Sequence, residues 1–190
     1  MEETYLLEQI KLKNKDAFKE MVLKYQNLVI NICYGFVHNQ DDAQDIAQEV
    51  FIELYKSIEK FRQESKLSTW IYRISVNKSL NFIRDNKKNS WLHSLDLLFE
   101  KDIASNEGFH DSDNPETLME EDEKSSILYK TIDELPENQK ISFVLNKFEN
   151  LSYKEISEVM KISLSSVESL IFRAKKNLQA KLIGYYKKKF

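Results

Sequence analysis

The chain has 190 residues, enough for one large domain or two small ones, and its 42% hydrophobic and 31% charged residues are those of an ordinary folded protein. Three glycines and two prolines leave almost no turn punctuation for strands and hairpins, so an all-α fold is expected. A single cysteine, Cys33, excludes an intrachain disulfide and a cysteine-based zinc site; it sits in an apolar run, as a buried, inert thiol would.

No run approaches the ~18 apolar residues of a membrane span, and the N-terminus lacks a signal-peptide pattern, so a cytoplasmic protein without membrane insertion is expected. The net charge of −3 is unevenly spread. Between residues 61 and 88, Arg62, Lys66, Arg73, Lys78, Arg84, Lys87 and Lys88 are opposed only by Glu64 and Asp85. From residue 172 onward, Arg173, Lys175, Lys176, Lys181, Lys187, Lys188 and Lys189 face no acid, whereas residues 96–123 are strongly acidic. Two basic patches flanking an acidic segment suggest two DNA-contacting surfaces on two domains.

In chain order, residues 17–37 carry Phe18, Val22, Tyr25, Val29, Ile32 and Phe36 at helical spacing. Asn39, Asp41 and Asp42 suit the start of the next helix by capping and by the macrodipole; its apolar stripe is Ala43, Ile46, Ala47, Val50, Phe51, Leu54, Tyr55 and Ile58. Ser68 is expected to cap a third helix reaching to about Lys88. Residues 89–114 hold no sustained period and read as an acidic flexible linker, with room for one helical turn at Trp91, Leu95, Leu97, Leu98 and Phe99. Pro115 and Pro136 each fit the opening of a further helix.

The last third is the most legible. Ser152 and Glu155 have the spacing of a capping box, Lys161 and Ile162 make a turn, and Ser163 caps a longer helix. Ile156, Val159 and Ile162 would face Val167, Ile171, Ala174 and Leu178, which is a helix-turn-helix. Its outward positions are Ser165, Ser166, Glu168, Ser169, Phe172, Arg173, Lys175 and Lys176, on a helix able to enter a major groove.

Residues 41–84, with Thr69, Trp70, Ile71, Tyr72, Arg73, Ile74 and Asn77, resemble conserved region 2 of the small, extracytoplasmic-function RNA polymerase sigma factors of the σ70 family. Residues 135–178 resemble region 4. The resemblance implies a region 2 helical bundle over 1–88, the linker over 89–114 and a region 4 helix-turn-helix domain over 115–190. It implies a subunit that binds core RNA polymerase, through the coiled-coil of the largest subunit and the flap regions, and directs it to promoter DNA.

The polymerase-facing candidates are Asp42, Asp45, Gln48, Glu49, Phe51 and Glu53. Opening the −10 element needs surfaces for extruded bases and cations along the backbone. The candidates for that work are Phe61, Ser65, Lys66, Leu67, Thr69, Trp70, Arg73, Asn77, Lys78, Asn81 and Arg84. Trp70 and Phe61 fit either a base platform or the core, and Asn77 fits a base edge, since amides read them well. For the −35 element Arg173 can pair with guanine or hold a phosphate, while Lys175 and Lys176 suit phosphates and the helix start near Ser165 and Ser166 can bind one too. Relatives often carry basic residues where this chain has Glu168 and Leu170, so its −35 preference is expected to differ, and a DNA-bound recruiting protein could assist it. An anti-sigma factor is a second expected partner.

A stand-alone helix-turn-helix repressor would bind a two-fold operator without polymerase, and a degenerate sigma would only sequester it. Enzyme chemistry is not expected: His38, His93 and His110 are scattered, no carboxylate pair is set against a base, and no metal or cofactor is implied.

Overall fold

The structure, a computed structural model, describes the backbone of residues 3–99 and 117–189, and the side chains of 3–87 and 125–185. The expected linker from residue 100, Pro115, and the side chains of the acidic segment and of Lys187, Lys188 and Lys189 lie outside the described residues. Among the described residues every regular element is helical: α1 (Glu3–Lys11), α2 (Lys15–Val37), α3 (Gln40–Ser57), α4 (Leu67–Phe99), α5 (Thr117–Asp133), α6 (Glu137–Lys147), α7 (Tyr153–Met160) and α8 (Leu164–Lys189), with a 3-10 turn at Ile58–Lys60. None is long and apolar enough to cross a membrane.

Local chemistry sets most boundaries. The Asn14 side chain accepts from the backbone N–H groups of Asp16 and Ala17 at 3.0 and 3.2 Å to start α2, and the Asn39 side chain accepts from Asp42 N–H at 3.0 Å to start α3. Left-handed His38 ends α2 and left-handed Lys161 ends α7. Both halves of the Ser152–Glu155 capping box form. The Ser163 hydroxyl accepts from Ser166 N–H at 3.2 Å, as the spacing predicts.

Three boundaries differ from expectation. α1 is not anticipated by the sequence reading, yet Leu6, Leu7 and Ile10 are buried. Ser68 is not the cap of α4: the helix begins at Leu67, whose buried side chain anchors the first turn, and Lys66 C=O accepts from Trp70 N–H at 3.3 Å. α4 also continues past Lys88 to Phe99, so the helix covers the first part of the expected linker.

α1–α4 enclose a core of their own, with Ile10, Met21, Val29, Ala43, Val50, Leu54, Ile58, Leu67 and Ile71 fully or almost fully buried. α5–α8 form a second unit in which α8 lies against α5, α6 and α7. Its core of Ile132, Leu145, Ile156, Val159, Val167, Ile171 and Ala174 is continuous with Ile32, Phe36, Tyr72, Val76 and Leu80 from α2 and α4. The two units therefore share one apolar interface. Each large aliphatic side chain buried there contributes ~1.5–3 kcal/mol.

Candidate nucleic-acid interface

The turn between α7 and α8 is short because left-handed Lys161 reverses the chain and Ser163 restarts it. Val167, Ile171, Ala174 and Leu178 consequently point inward, and all of Ser165, Ser166, Glu168, Ser169, Phe172, Arg173, Lys175 and Lys176 are exposed on the opposite face. Phe172 is 69% exposed, which no packing requirement explains. Leu170 sits half-buried at the edge of this face and is not one of its central residues. Leu164 was not anticipated; it is 47% exposed at the start of α8, one helical turn before Glu168. The i, i+4, i+8 spacing of Leu164, Glu168 and Phe172 was the available signal.

The α3 candidates other than Phe51 lie on the outward side of the helix. Asp45, Gln48 and Glu49 are exposed, Asp42 and Glu53 are half-exposed, and Phe51 leans against the core. Ile52, 53% exposed among these acids, is the apolar residue of the face that sequence reasoning missed. Lys78 of α4 reaches across to Glu49 and Glu53, at 3.4 and 3.9 Å, and so joins the acidic face and not the other −10 candidates.

The −10 candidates divide into three groups. Phe61, Leu67 and Thr69 are buried, between 1% and 6% exposed, which corrects their expected place on a base-contacting surface: they hold the α3–α4 connection to the core. Phe61 stacks on Trp70 with ring centroids 4.8 Å apart, and half-buried Trp70 packs against the same core, which favours its packing role in this arrangement. Ser65 and Lys66 lie on the more open loop. Arg73, Asn77, Asn81 and Arg84 line a cleft along α4 whose other wall is Glu137, Asn138, Ile141, Val159, Met160 and Lys161 of α6, α7 and the turn after it.

Polar contacts bridge that cleft. Arg73 Nη2 and Nε donate to the backbone C=O groups of Glu158 and Val159 at 2.5 and 3.1 Å. Arg84 donates to both carboxylate oxygens of Glu137, at 2.9 and 2.7 Å. Lys140, only 6% exposed, donates to Phe36 C=O at 3.1 Å and to Asp133 at 2.6 Å. His38 stacks on Tyr129 and approaches Asp133 at 3.4 Å. Burial works to raise the Asp133 pKa, but the His38 and Lys140 hydrogen bonds outweigh it and hold the carboxyl below its usual range. In contrast, burial raises Glu149 to about 7, although a hydrogen bond from the Tyr72 hydroxyl opposes the shift. Burial and that carboxylate together push Tyr72 up to about 12.

Residues 21–89 match the family described as Sigma-70 region 2, and residues 125–178 match Sigma-70, region 4. The chain is 36% identical over 180 residues to the RNA polymerase sigma-H factor of Pseudomonas aeruginosa, covering 93% of this chain and 92% of that one. It is 37% identical over 179 residues to the ECF RNA polymerase sigma-E factor of Haemophilus influenzae, covering 93% of each. Among solved structures it is similar to CnrH in complex with the cytosolic domain of CnrY, with a TM-score of 0.66 at 19% identity over 95% of this chain and 96% of that one, a likeness of fold. An acidic helix face, a basic and amide-bearing helix, and a helix-turn-helix in this order thus coincide with matches along nearly the whole chain: it belongs to the extracytoplasmic-function branch of the σ70 family of RNA polymerase sigma factors.

Proposed function

We propose that the three surfaces divide the work of promoter recognition. The face of α3 carrying Asp42, Asp45, Gln48, Glu49 and Glu53 docks on core polymerase, with Ile52 as its apolar centre. The amide and cationic side of α4, with Arg73, Asn77, Asn81 and Arg84, engages the −10 element. The outer face of α8 reads the −35 element, Arg173 contacting a guanine or phosphate and Lys175 and Lys176 holding the backbone. Glu168 fits a cytosine amino group, and Leu164 and Phe172 fit thymine methyls, so this −35 helix favours a less phosphate-driven contact than a uniformly basic one. A DNA-bound recruiting protein would compensate for that weaker electrostatic grip, and an anti-sigma protein would act by covering these same surfaces. In this reading the chain carries no catalytic step of its own.

The observation that carries this reading is the complete exposure of the outer face of α8, including a large aromatic side chain with no structural duty. The test is run-off transcription by core polymerase plus the purified chain on DNA upstream of its own gene. A transcript that fails when Arg173 is changed to Ala supports the reading. Tight duplex binding without polymerase, and no transcript with it, would establish a stand-alone repressor in its place. Footprinting of the same complex tests the recruiting protein: full −35 protection by polymerase and this chain alone removes the need for one.

A further inference from the structure

The cleft between α4 and the second helical unit has a volume of about 590 Å³, which suits a small molecule, and small-molecule sites are common between such units. An exchange of cations fixes its two walls in this closed arrangement. Arg73 of α4 takes the Glu158 and Val159 carbonyls near the end of α7, and Lys140 of α6 takes Phe36 C=O at the end of α2. Each cation sits where the macrodipole favours positive charge. α2 and α6 also meet closely: a Cβ at Gly35 would lie 2.9 Å from Cγ1 of buried Val144.

The lining is sorted by position. The floor is apolar, with Val76, Leu80, Ile141 and Val159 all buried. The rim is polar and open: Asn77 and Asn81 of α4 and Asn138 of α6 are exposed, so amides from both walls meet whatever enters. Arg84 and Glu137, at one end, pair with each other. At the other end stand Arg73 and exposed Lys161, which lies two residues past the Val159 carbonyl that Arg73 holds. Among the described lining residues Glu137 alone carries a carboxylate, so this second end keeps its positive charge in a chain whose net charge is −3. The two carbonyls also fix the plane of the Arg73 guanidinium. An anion therefore meets a donor that is already oriented and loses little rotamer freedom on binding.

We propose that this cleft binds a free nucleoside monophosphate. The phosphate sits between Arg73 and Lys161, which hold an anion as a planar fork and as a point charge. The base lies on the apolar floor with half-buried Met160 at its edge, and the asparagine amides pair with its donors and acceptors. Inorganic phosphate would use the cationic end and leave the floor and amides unused. At the far end the Glu137 carboxylate repels a second phosphate, which favours a single nucleotide over a continuous strand in this arrangement. Because the ligand touches both walls, it stabilises their contact by mass action. Resting on the promoter reading above, a bound nucleotide also competes with the −10 strand for Arg73, Asn77 and Asn81.

The test titrates the full chain with AMP, GMP, CMP and UMP by calorimetry, with inorganic phosphate as the reference anion. At least one nucleotide is expected to bind about tenfold more tightly than phosphate, since base contacts add to those of the anion. Nucleotides that bind no better than phosphate overturn the inference. Lys161→Gly suits the left-handed position that ends α7 and removes the cation from the wall opposite α4. It is expected to weaken the nucleotide about tenfold, and Asn81→Ala to narrow the preference among the bases. Lys154→Ala removes an exposed cation of α7 outside the cleft and should change neither. Equal losses in Lys161→Gly and Lys154→Ala would mean general charge attraction and overturn the site. A single-stranded −10 oligonucleotide separates the two readings. Displacement of the nucleotide by the oligonucleotide supports both, and nucleotide binding without displacement overturns the competition. An oligonucleotide that binds where no mononucleotide does overturns this inference alone. Nucleotide binding by a chain that gives no run-off transcript overturns the promoter reading instead.

Discussion

The two helical units differ in how far each stands alone. The core of α1–α4 draws only on its own helices, from Leu6 to Ile71. The core of α5–α8 runs on into Ile32, Phe36, Tyr72, Val76 and Leu80 of the other unit, and Lys140 reaches the same way. The side of α4 with Arg73, Asn77, Asn81 and Arg84 follows this inequality: it lines the cleft shared with the second unit, while the outer face of α8 points to solvent. The self-sufficient unit lends a helix face to the cleft, and the dependent unit supplies its opposite wall.

The comparison breaks most visibly in the cores. Ile71→Ala removes a fully buried side chain from the first core and should cost ~2–5 kcal/mol, lowering hydrogen-exchange protection in α1–α4 and in the α5–α8 helices that lean on them. Val167→Ala, equally buried in the second core, should cost less, ~1–3 kcal/mol, since fewer methyl groups are lost, and should leave protection in α1–α3 unchanged. Equal loss across both units from Val167→Ala would show one cooperative domain and remove the asymmetry.

Lys140→Met comes next. It leaves Phe36 C=O without its donor and deprives Asp133 of its nearest cation. A loss of ~1–3 kcal/mol is expected, because a buried acceptor is left unsatisfied. The loss should appear as faster exchange at the end of α2 and in α6, with α1 and α3 unaffected. Protection unchanged at both sites would mean that the cation exchange contributes nothing to closure.

How much of this could be read from the sequence follows the range of the interactions. Asn39, the Ser152–Glu155 box and Ser163 act within three residues, and each marks its helix start correctly. The outer face of α8 is legible for the same reason, since helical period alone decides which of its residues face out. α1 is too short to show a period, and its buried Leu6, Leu7 and Ile10 owe their burial to helices far along the chain. Phe61, Leu67 and Thr69 carry the family pattern, but a pattern assigns positions and not exposure; packing at the α3–α4 connection buries them. Arg73 meets Glu158 and Val159 some eighty-odd residues away, a partnership without any local signature.

A smaller effect tests the second unit from its own side. Ser152→Ala removes the hydroxyl that accepts from Glu155 N–H at 3.3 Å and donates to its carboxylate at 2.7 Å. A cost of ~0.5–2 kcal/mol is expected, confined to α7 and its junction with α8. Because Arg73 grips the other end of α7, a frayed α7 should also loosen the cleft, so Ser152→Ala and Arg73→Ala should be less than additive in a double-mutant cycle. Full additivity would separate the two ends of this short helix.

The smallest effect is the pH dependence of closure, through Glu149 in the connection between α6 and α7. The groups facing it are Tyr72 on α4 and, electrostatically, Cys33 on α2, whose thiol burial raises to about 11. Burial raises Glu149 from 4.5 to about 7, so the closed arrangement favours the neutral carboxyl. Its contribution is therefore fully present below pH 4.5, fades as pH rises, and is lost above about 7. Because Glu149 remains partly solvated, screening reduces the full shift to an effect of ~1 kcal/mol, a several-fold change in the closed-to-open equilibrium constant. Asp133 acts in the opposite sense: its lowered pKa stabilises closure above the ordinary carboxylate range, and that support is lost only in more acidic solution. In the full chain carrying Cys33→Ala, Gly35→Cys and Val144→Cys, the rate of disulfide formation between α2 and α6, corrected for thiolate ionisation with a matched small thiol, should fall between pH 5 and 8 while Glu149 is present. Glu149→Gln should abolish most of that fall, since its amide is neutral at every pH and can still accept from the Tyr72 hydroxyl. A slope retained in Glu149→Gln would place the titrating group elsewhere in the interface.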